Sequence, residues 1–272
     1  MNDYKYIHPK SGIMKEAPLQ DMPILLLIIF LFASLLLFNY LGYRLKKYHL
    51  LKNPVIADQA DIQNSLLGIM ALLLAFSFGI AAAKFETRRQ LIIEEANDLG
   101  TAILRCDLYP DSIKIPLRKD FAAYLDKRME YYAAAEKTDS IKNSIKQAQV
   151  ISTRIWKRVA EASKNKENLV ASQLMIPATN AVIDILTTRD SARISKVPQL
   201  ILYSLLFLCW CCCFITGYNT KDNSRNLWMV FQFVLMITLT LYLVLELDHP
   251  RRGLLNLDVA EKNISDLKSM VQ

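Results

Sequence analysis

The sequence has only seven glycines in 272 residues, and none belongs to a glycine-rich loop that could cradle a phosphate. A nucleotide-binding loop of that type is excluded. Its three histidines, His8, His49 and His249, are far apart, and four of its five cysteines, Cys209, Cys211, Cys212 and Cys213, lie inside one apolar run. Neither a His/Cys metal centre nor an extracellular disulfide framework follows from such a distribution. Thiols in an apolar run are read as small packing groups, and no cofactor is expected. Charge is missing as well. Four runs, Ile24–Tyr43, Ser65–Ala83, Gln199–Tyr218 and Leu227–Leu247, carry no Asp, Glu, Lys, Arg or His until Glu246. Proton-coupled pumps need ionisable groups at membrane depth, so this absence argues against one. Gln232, Thr238 and Thr240 are polar but uncharged, and are read as interhelical hydrogen-bonding groups.

What is present is apolar and helical. Hydrophobic residues make up 53% of the chain, which predicts an all-α integral membrane protein with four transmembrane helices and an inserted helical bundle. Residues 1–22 read as a polar tail and 23–83 as membrane helices 1 and 2. The bundle follows over 84–197, continuous with helix 2, then membrane helices 3 and 4 over 198–247 and a C-terminal segment over 248–272. The first span lacks a small-residue cleavage site just beyond it and reads as a retained anchor. The short link Asn219–Asn226 makes the last two spans antiparallel neighbours.

The second span organises the rest. Ser65–Ala83 is nineteen residues long, about 28 Å of helix, and runs without a proline into an amphipathic stretch ending near Arg105. Gly68, Ala71, Ala75, Gly79 and Ala82 recur at spacings of three and four, a small-residue ridge for close helix contact. Leu73, Phe76, Ser77 and Ile80 are bulkier candidates to line a pore as a hydrophobic constriction, with Lys84, Arg88 and Arg89 drawing anions towards its mouth. Ordinary bundle packing with a lipid face is the competing reading. Pro110 and Pro116 are expected to break the chain before a helix striped by Leu117, Phe121, Leu125, Met129 and Tyr132. A coiled-coil-like seam follows through Ile141, Ile145, Ala148, Ser152, Ile155, Val159 and Ala162. The last bundle helix begins near Ser172, with Pro177 at its start or kinking it.

Polar residues on the bundle suggest a network of Glu94, Glu95, Asn97 and Arg105 with Asn180, Asp184 and Arg189. Glu246 and Asp248 end the fourth span where the helix dipole disfavours carboxylates, so each should seek a cation, Arg251, Arg252 or an arginine on another element. Paired carboxylates can do acid–base chemistry, but no nucleophile, metal cluster or histidine completes a site, and an enzyme is not expected. The net charge of +7 is spread along helices beside membrane spans, which favours membrane lipids rather than nucleic acid as the electrostatic partner. More lysine and arginine flanks the span ends on the bundle's side than on the side of Arg44, Lys46, Lys47 and Lys52, placing the bundle and both termini in the cytoplasm.

Several segments together resemble the bestrophin-like bacterial membrane proteins. They are Leu66-Leu-Gly-Ile, Phe85-Glu-Thr-Arg-Arg, Glu94-Glu-Ala-Asn97, Gly100-Thr101 with Arg105, Asn180-Ala-Val-Ile-Asp184 with Arg189, and Asp248-His-Pro-Arg-Arg-Gly253. The resemblance covers most of the chain from the second span onward. It implies a distant likeness to bestrophins, pentameric anion channels whose second membrane helix lines the pore and runs into a cytoplasmic helical domain. This chain departs from bestrophins after that span, where Phe85 is followed by Glu86 and not by a second aromatic residue. The expectation is an inner-membrane homo-oligomer, a passive channel for chloride or another small anion. The alternative left open is a membrane-anchored interaction or sensor protein acting through its bundle.

Overall fold

The structure, a computed structural model, describes residues 24–52, 60–133, 138–220, 226–248 and 257–271. The helices are α1 (Ile24–Lys52), α2 (Ala60–Arg105), α3 (Asp111–Ala133), α4 (Thr138–Ala162), α5 (Leu169–Ile194), α6 (Gln199–Asn219), α7 (Leu227–Asp248), α8 (Asp258–Asp266) and α9 (Lys268–Val271). There is no strand among the described residues. Among the described residues, four segments are long and apolar enough to cross a membrane, and they take in most or all of α1, α2, α6 and α7.

The chain divides into two compact units, and each is described by itself. One joins the segment up to Asp58 with Cys213–Leu239; the other joins Gln59–Cys212 with the chain from Thr240 onward. In the first, α1 and the end of α6 cross at two glycines. A Cβ on Gly42 would overlap the Phe214 carbonyl oxygen, and one on Gly217 would overlap that of Asn39. The two backbones therefore touch, a contact open only to residues without a side chain. Asn39, buried beside this crossing, donates from its amide nitrogen to the Cys213 carbonyl at 3.1 Å. Further along α1, Lys46 donates to the Thr220 carbonyl at 2.9 Å, and His49 lies 3.1 Å from the Tyr218 hydroxyl.

The second unit is built on α2. Its 46 residues make a rod of about 69 Å. Beyond the apolar half, Ile92, Ala96, Leu99, Ala102 and Ile103 are buried against Leu117, Phe121 and Leu125 of α3, Ile155 and Val159 of α4, and Met175 and Val182 of α5. The predicted seam of α4 is its packed face, with Trp156 against the same core. A 3-10 turn, Cys106–Leu108, ends α2, and Tyr109 turns extended, as a residue before a proline prefers. Pro110 stops the helix as expected, but Pro116 does not: α3 starts at Asp111 and carries Pro116 inside it. The Ile113 and Lys114 amides bond to the Pro110 carbonyl, so the helix is nucleated before the proline removes one later bond. Likewise α5 starts at Leu169, after a 3-10 turn at Lys166–Asn168, and carries Pro177 within it. The C-terminal helices close the core. Leu257 and Ile264 are buried in it, and Arg118 of α3 donates to the Met270 carbonyl at 2.9 Å.

The glycine crossing yields a contrast. Gly217→Val forces a backbone oxygen to move and should destabilise the purified protein by about 1–3 kcal/mol, whereas Val150→Ala on the exposed side of α4 should change thermal unfolding in detergent by no more than about 0.5 kcal/mol. Equal unfolding temperatures for the two variants would remove the crossing as a structural determinant.

Candidate functional site

Each turn of α2 presents two faces. Met70, Ser77, Ala81, Arg88, Glu95, Leu99 and Ala102 face inward at spacings of three, four and seven. On the opposite side lie Ile62, Ile69, Leu72, Phe76, Ile80, Ala83, Thr87, Gln90, Glu94, Asn97, Thr101, Leu104 and Leu108, all exposed. This outward stripe runs the whole length of the rod and keeps a period near 3.5 residues, the period of helices that associate side by side.

The structure divides the predicted constriction. Phe76 is 61% exposed and Ile80 is 37% exposed, while Leu73 is half-buried. Ser77 is fully buried, and its hydroxyl donates to the Leu73 carbonyl at 2.7 Å. It is turned into the chain, away from the exposed side of α2. Within the chain, the small-residue ridge is not the packed face of α2. Gly68, Ala71, Ala75 and Gly79 are exposed and Ala82 half-buried, and a Cβ added at Gly68 or Gly79 meets nothing within 4 Å. Periodicity showed that a small face exists, but not which neighbour it meets. In the membrane half the buried positions of α2 are Met70, Ser77 and Ala81, while the large side chains of Leu72, Phe76 and Phe78 are exposed.

Where α2 leaves its apolar half, Arg88 is buried and gathers four carbonyls. It donates to Ala192 at 3.2 Å and Ser195 at 2.9 Å, at and just past the end of α5, and to Leu247 at 3.2 Å and Asp248 at 3.1 Å at the end of α7. Carbonyls at helix ends lack intrahelical donors, so a guanidinium with five N–H groups suits the position. Asp248, predicted to seek a cation, finds Arg88 at 3.7 Å and accepts from the Val197 amide at 2.9 Å. Arg251 and Arg252 lie outside the described residues. Neighbouring Lys84 donates to Ser195, and Arg89 pairs with Glu86.

Deeper in the bundle, Glu95 is completely buried between two arginines from different helices. Arg128 of α3 approaches its two oxygens at 2.5 and 3.0 Å, and Arg189 of α5 reaches the second oxygen. Arg189 also donates to the Tyr132 hydroxyl, which donates to Glu95 at 3.4 Å. The Arg128 guanidinium lies 4.5 Å from the Tyr131 ring centroid and 5.6 Å from that of Tyr132. Burial, reinforced by the charge of Glu95, pushes the Tyr132 phenol up to about 12, so it stays a neutral donor. Burial works against the charge on Arg128, but the Glu95 carboxylate outweighs it and holds the guanidinium protonated. One carboxylate against two guanidiniums leaves one positive charge in excess.

Of the predicted network, the structure therefore joins Glu95 to Arg189. Glu94, Asn97, Asn180 and Asp184 are exposed, and Arg105 donates to the Leu174 carbonyl at 2.6 Å. Arg128 was missed. Its signal was an arginine at a core position of the stripe Leu117, Phe121, Tyr124, Arg128, Tyr132, with the spacing of its apolar neighbours.

A family model described as Bestrophin-like domain matches residues 63–260, well over half the chain. The chain belongs to the bestrophin-like family. It is thus a membrane protein of the bestrophin type, and the match begins three residues after the start of α2. Solved structures of a bacterial bestrophin homologue from Klebsiella pneumoniae share the fold. A form with one tryptophan replaced by alanine superposes with TM-score 0.68 at 14% identity, covering 90% of this chain and 98% of that one. A form with one tyrosine replaced by alanine gives 0.67 at 13%, covering 89% and 99%, and a structure phased from zinc gives 0.66 at 15%, covering 89% and 98%. No curated protein matches the sequence.

The excess charge around Glu95 predicts an order of stability. Glu95→Met strands two buried guanidiniums and should cost about 3–5 kcal/mol. Arg189→Met leaves the balanced pair Glu95–Arg128 and should cost clearly less. Thermal unfolding of the two purified variants in detergent reads the order, and the reverse order would contradict this account of the cluster.

Proposed function

We propose that this bestrophin-like protein is an oligomeric passive ion channel of the inner membrane, lined by α2. The observation that carries the reading is the unpartnered outward stripe of α2. Four membrane helices packed together fill their own centre with side chains, so a water path needs several copies arranged around an axis. The face opposite the packed one is the face that meets such an axis. It offers Leu72, Phe76 and Ile80 in the membrane half, an apolar neck that excludes water, and then Thr87, Gln90, Asn97 and Thr101, which suit a hydrated passage. The ridge of Gly68, Ala71, Ala75 and Gly79 lies beside that stripe, and is assigned to close contact with the next copy. The bundle of residues 84–197 and both termini are placed in the cytoplasm.

Chloride or another small anion is the proposed cargo, supported by the likeness to bestrophins and by the net charge of +7. One observation favours the opposite sign. Glu94 is the single ionisable group on the stripe between Ile80 and Leu108, and a ring of carboxylates attracts cations. The basic residues expected near the mouth are engaged instead, Arg88 on carbonyls and Arg89 on Glu86.

Reconstitution in liposomes tests both points. Under a potassium chloride gradient, Phe76→Ala and Ile80→Ser should raise flux above the wild type by wetting the neck, and the sign of the reversal potential names the ion. No flux above empty vesicles from equally reconstituted wild type and both variants would leave the interaction-protein reading in its place.

A further inference from the structure

The first membrane helix carries a feature that neither packing nor conduction uses. Its buried stripe is Leu27, Leu31, Leu35, Asn39 and Gly42, and the other side exposes Leu26, Phe30, Leu37 and Leu41. That exposed track does not end in neutral residues. It runs into Arg44 and Lys47, both exposed and both without an ion pair among the described residues. Arg44 lies twenty residues after the start of α1, about 30 Å along it, so its guanidinium stands at the far edge of the hydrocarbon. From Asn39 to Asn53 the sequence has Arg44, Lys46, Lys47 and Lys52 and no carboxylate.

We propose that Arg44 and Lys47 form a binding site for the phosphate of an anionic phospholipid whose acyl chains lie along Leu37 and Leu41. A cation at the membrane edge needs an anion, and the described residues of the protomer supply none. Arg44 is held on the helix surface with its guanidinium 5.9 Å from the Tyr40 ring centroid, which fixes its direction and leaves its N–H groups for a bidentate phosphate contact. Tyr48, 53% exposed, stands one turn beyond at headgroup depth, where amphipathic rings reside. Lys46 differs from its neighbours, since it is spent on the Thr220 carbonyl. The apolar track next to two cations selects a lipid over a free anion: a soluble phosphate gains nothing from Leu37 and Leu41. By chain connectivity the site lies in the leaflet opposite the bundle, where basic residues are otherwise few, so the cluster is not explained by orientation in the membrane.

The test uses the full-length protein in nanodiscs of phosphatidylcholine with and without phosphatidylglycerol, and reads retained lipid by native mass spectrometry. The wild type should retain phosphatidylglycerol over phosphatidylcholine. The double variant Arg44→Gln, Lys47→Gln should lose about thirtyfold of that preference, as two interfacial cations imply, while Lys164→Gln on the bundle should keep it. Neither side chain forms an ion pair among the described residues, so the variant should unfold at the wild-type temperature. An unchanged preference in the double variant overturns the proposal. So does displacement of the lipid by millimolar inorganic phosphate, which would mean a phosphate site indifferent to the apolar track. Disulfide formation between copies in a Leu37→Cys variant would also overturn it, because a second protomer and not lipid would then cover this face.

Discussion

The carboxylate of Glu95, shared between Arg128 and Arg189, is the interaction on which the architecture beyond the membrane depends. It joins α2, α3 and α5 at one buried point. A charge removed from water is tolerated only with matched partners in good geometry, so the three helices must present their side chains in one register. Apolar packing alone tolerates sliding by a turn; a buried carboxylate between two guanidiniums does not. The surrounding tyrosines extend this constraint, through the Tyr132 hydroxyl and the two rings beneath the guanidiniums.

Fixing the far half of α2 also fixes the near half, because the helix is unbroken from Ala60 to Arg105. Between the two halves Arg88 binds the ends of α5 and α7 to the same rod. Any displacement of the bundle must therefore act on the membrane half through a stiff element, and rotation of α2 about its axis would cost both ion clusters at once. An exposed stripe of constant direction over the whole rod is the consequence. That constancy makes α2 suited to line a path that continues from the membrane into water.

Much of this was legible in the sequence. The absence of charge over four runs is enough to identify membrane helices, since each ionisable group in hydrocarbon costs several kcal/mol. The period of α4 located its buried face, and the missing proline across residues 65–105 announced one long helix. Glu95 and Arg189 could be proposed as partners, whereas Arg128 was hidden among Leu125, Met129 and Tyr132 as a polar residue in an apolar stripe. Pro116 misled, because a proline forfeits only one hydrogen bond when the helix is already nucleated ahead of it, whereas Pro177 lies within its helix, one of the two places left open for it.

Composition and periodicity act locally, and they determined the helix types, their lengths and the existence of two unlike faces on α2. Which of those faces turns inward depends on groups far apart in the chain, and only the tertiary structure decided it. Gly42 and Gly217 show the same division. Each is an ordinary glycine in an apolar run until the two helices cross and a carbonyl oxygen occupies the place of a side chain. Arg88 reads as a surface cation until two helix ends, more than fifty residues apart in the chain, bring their unsatisfied carbonyls around it. Pairings of this kind are set by close contact at long sequence separation, and a linear pattern carries no record of them.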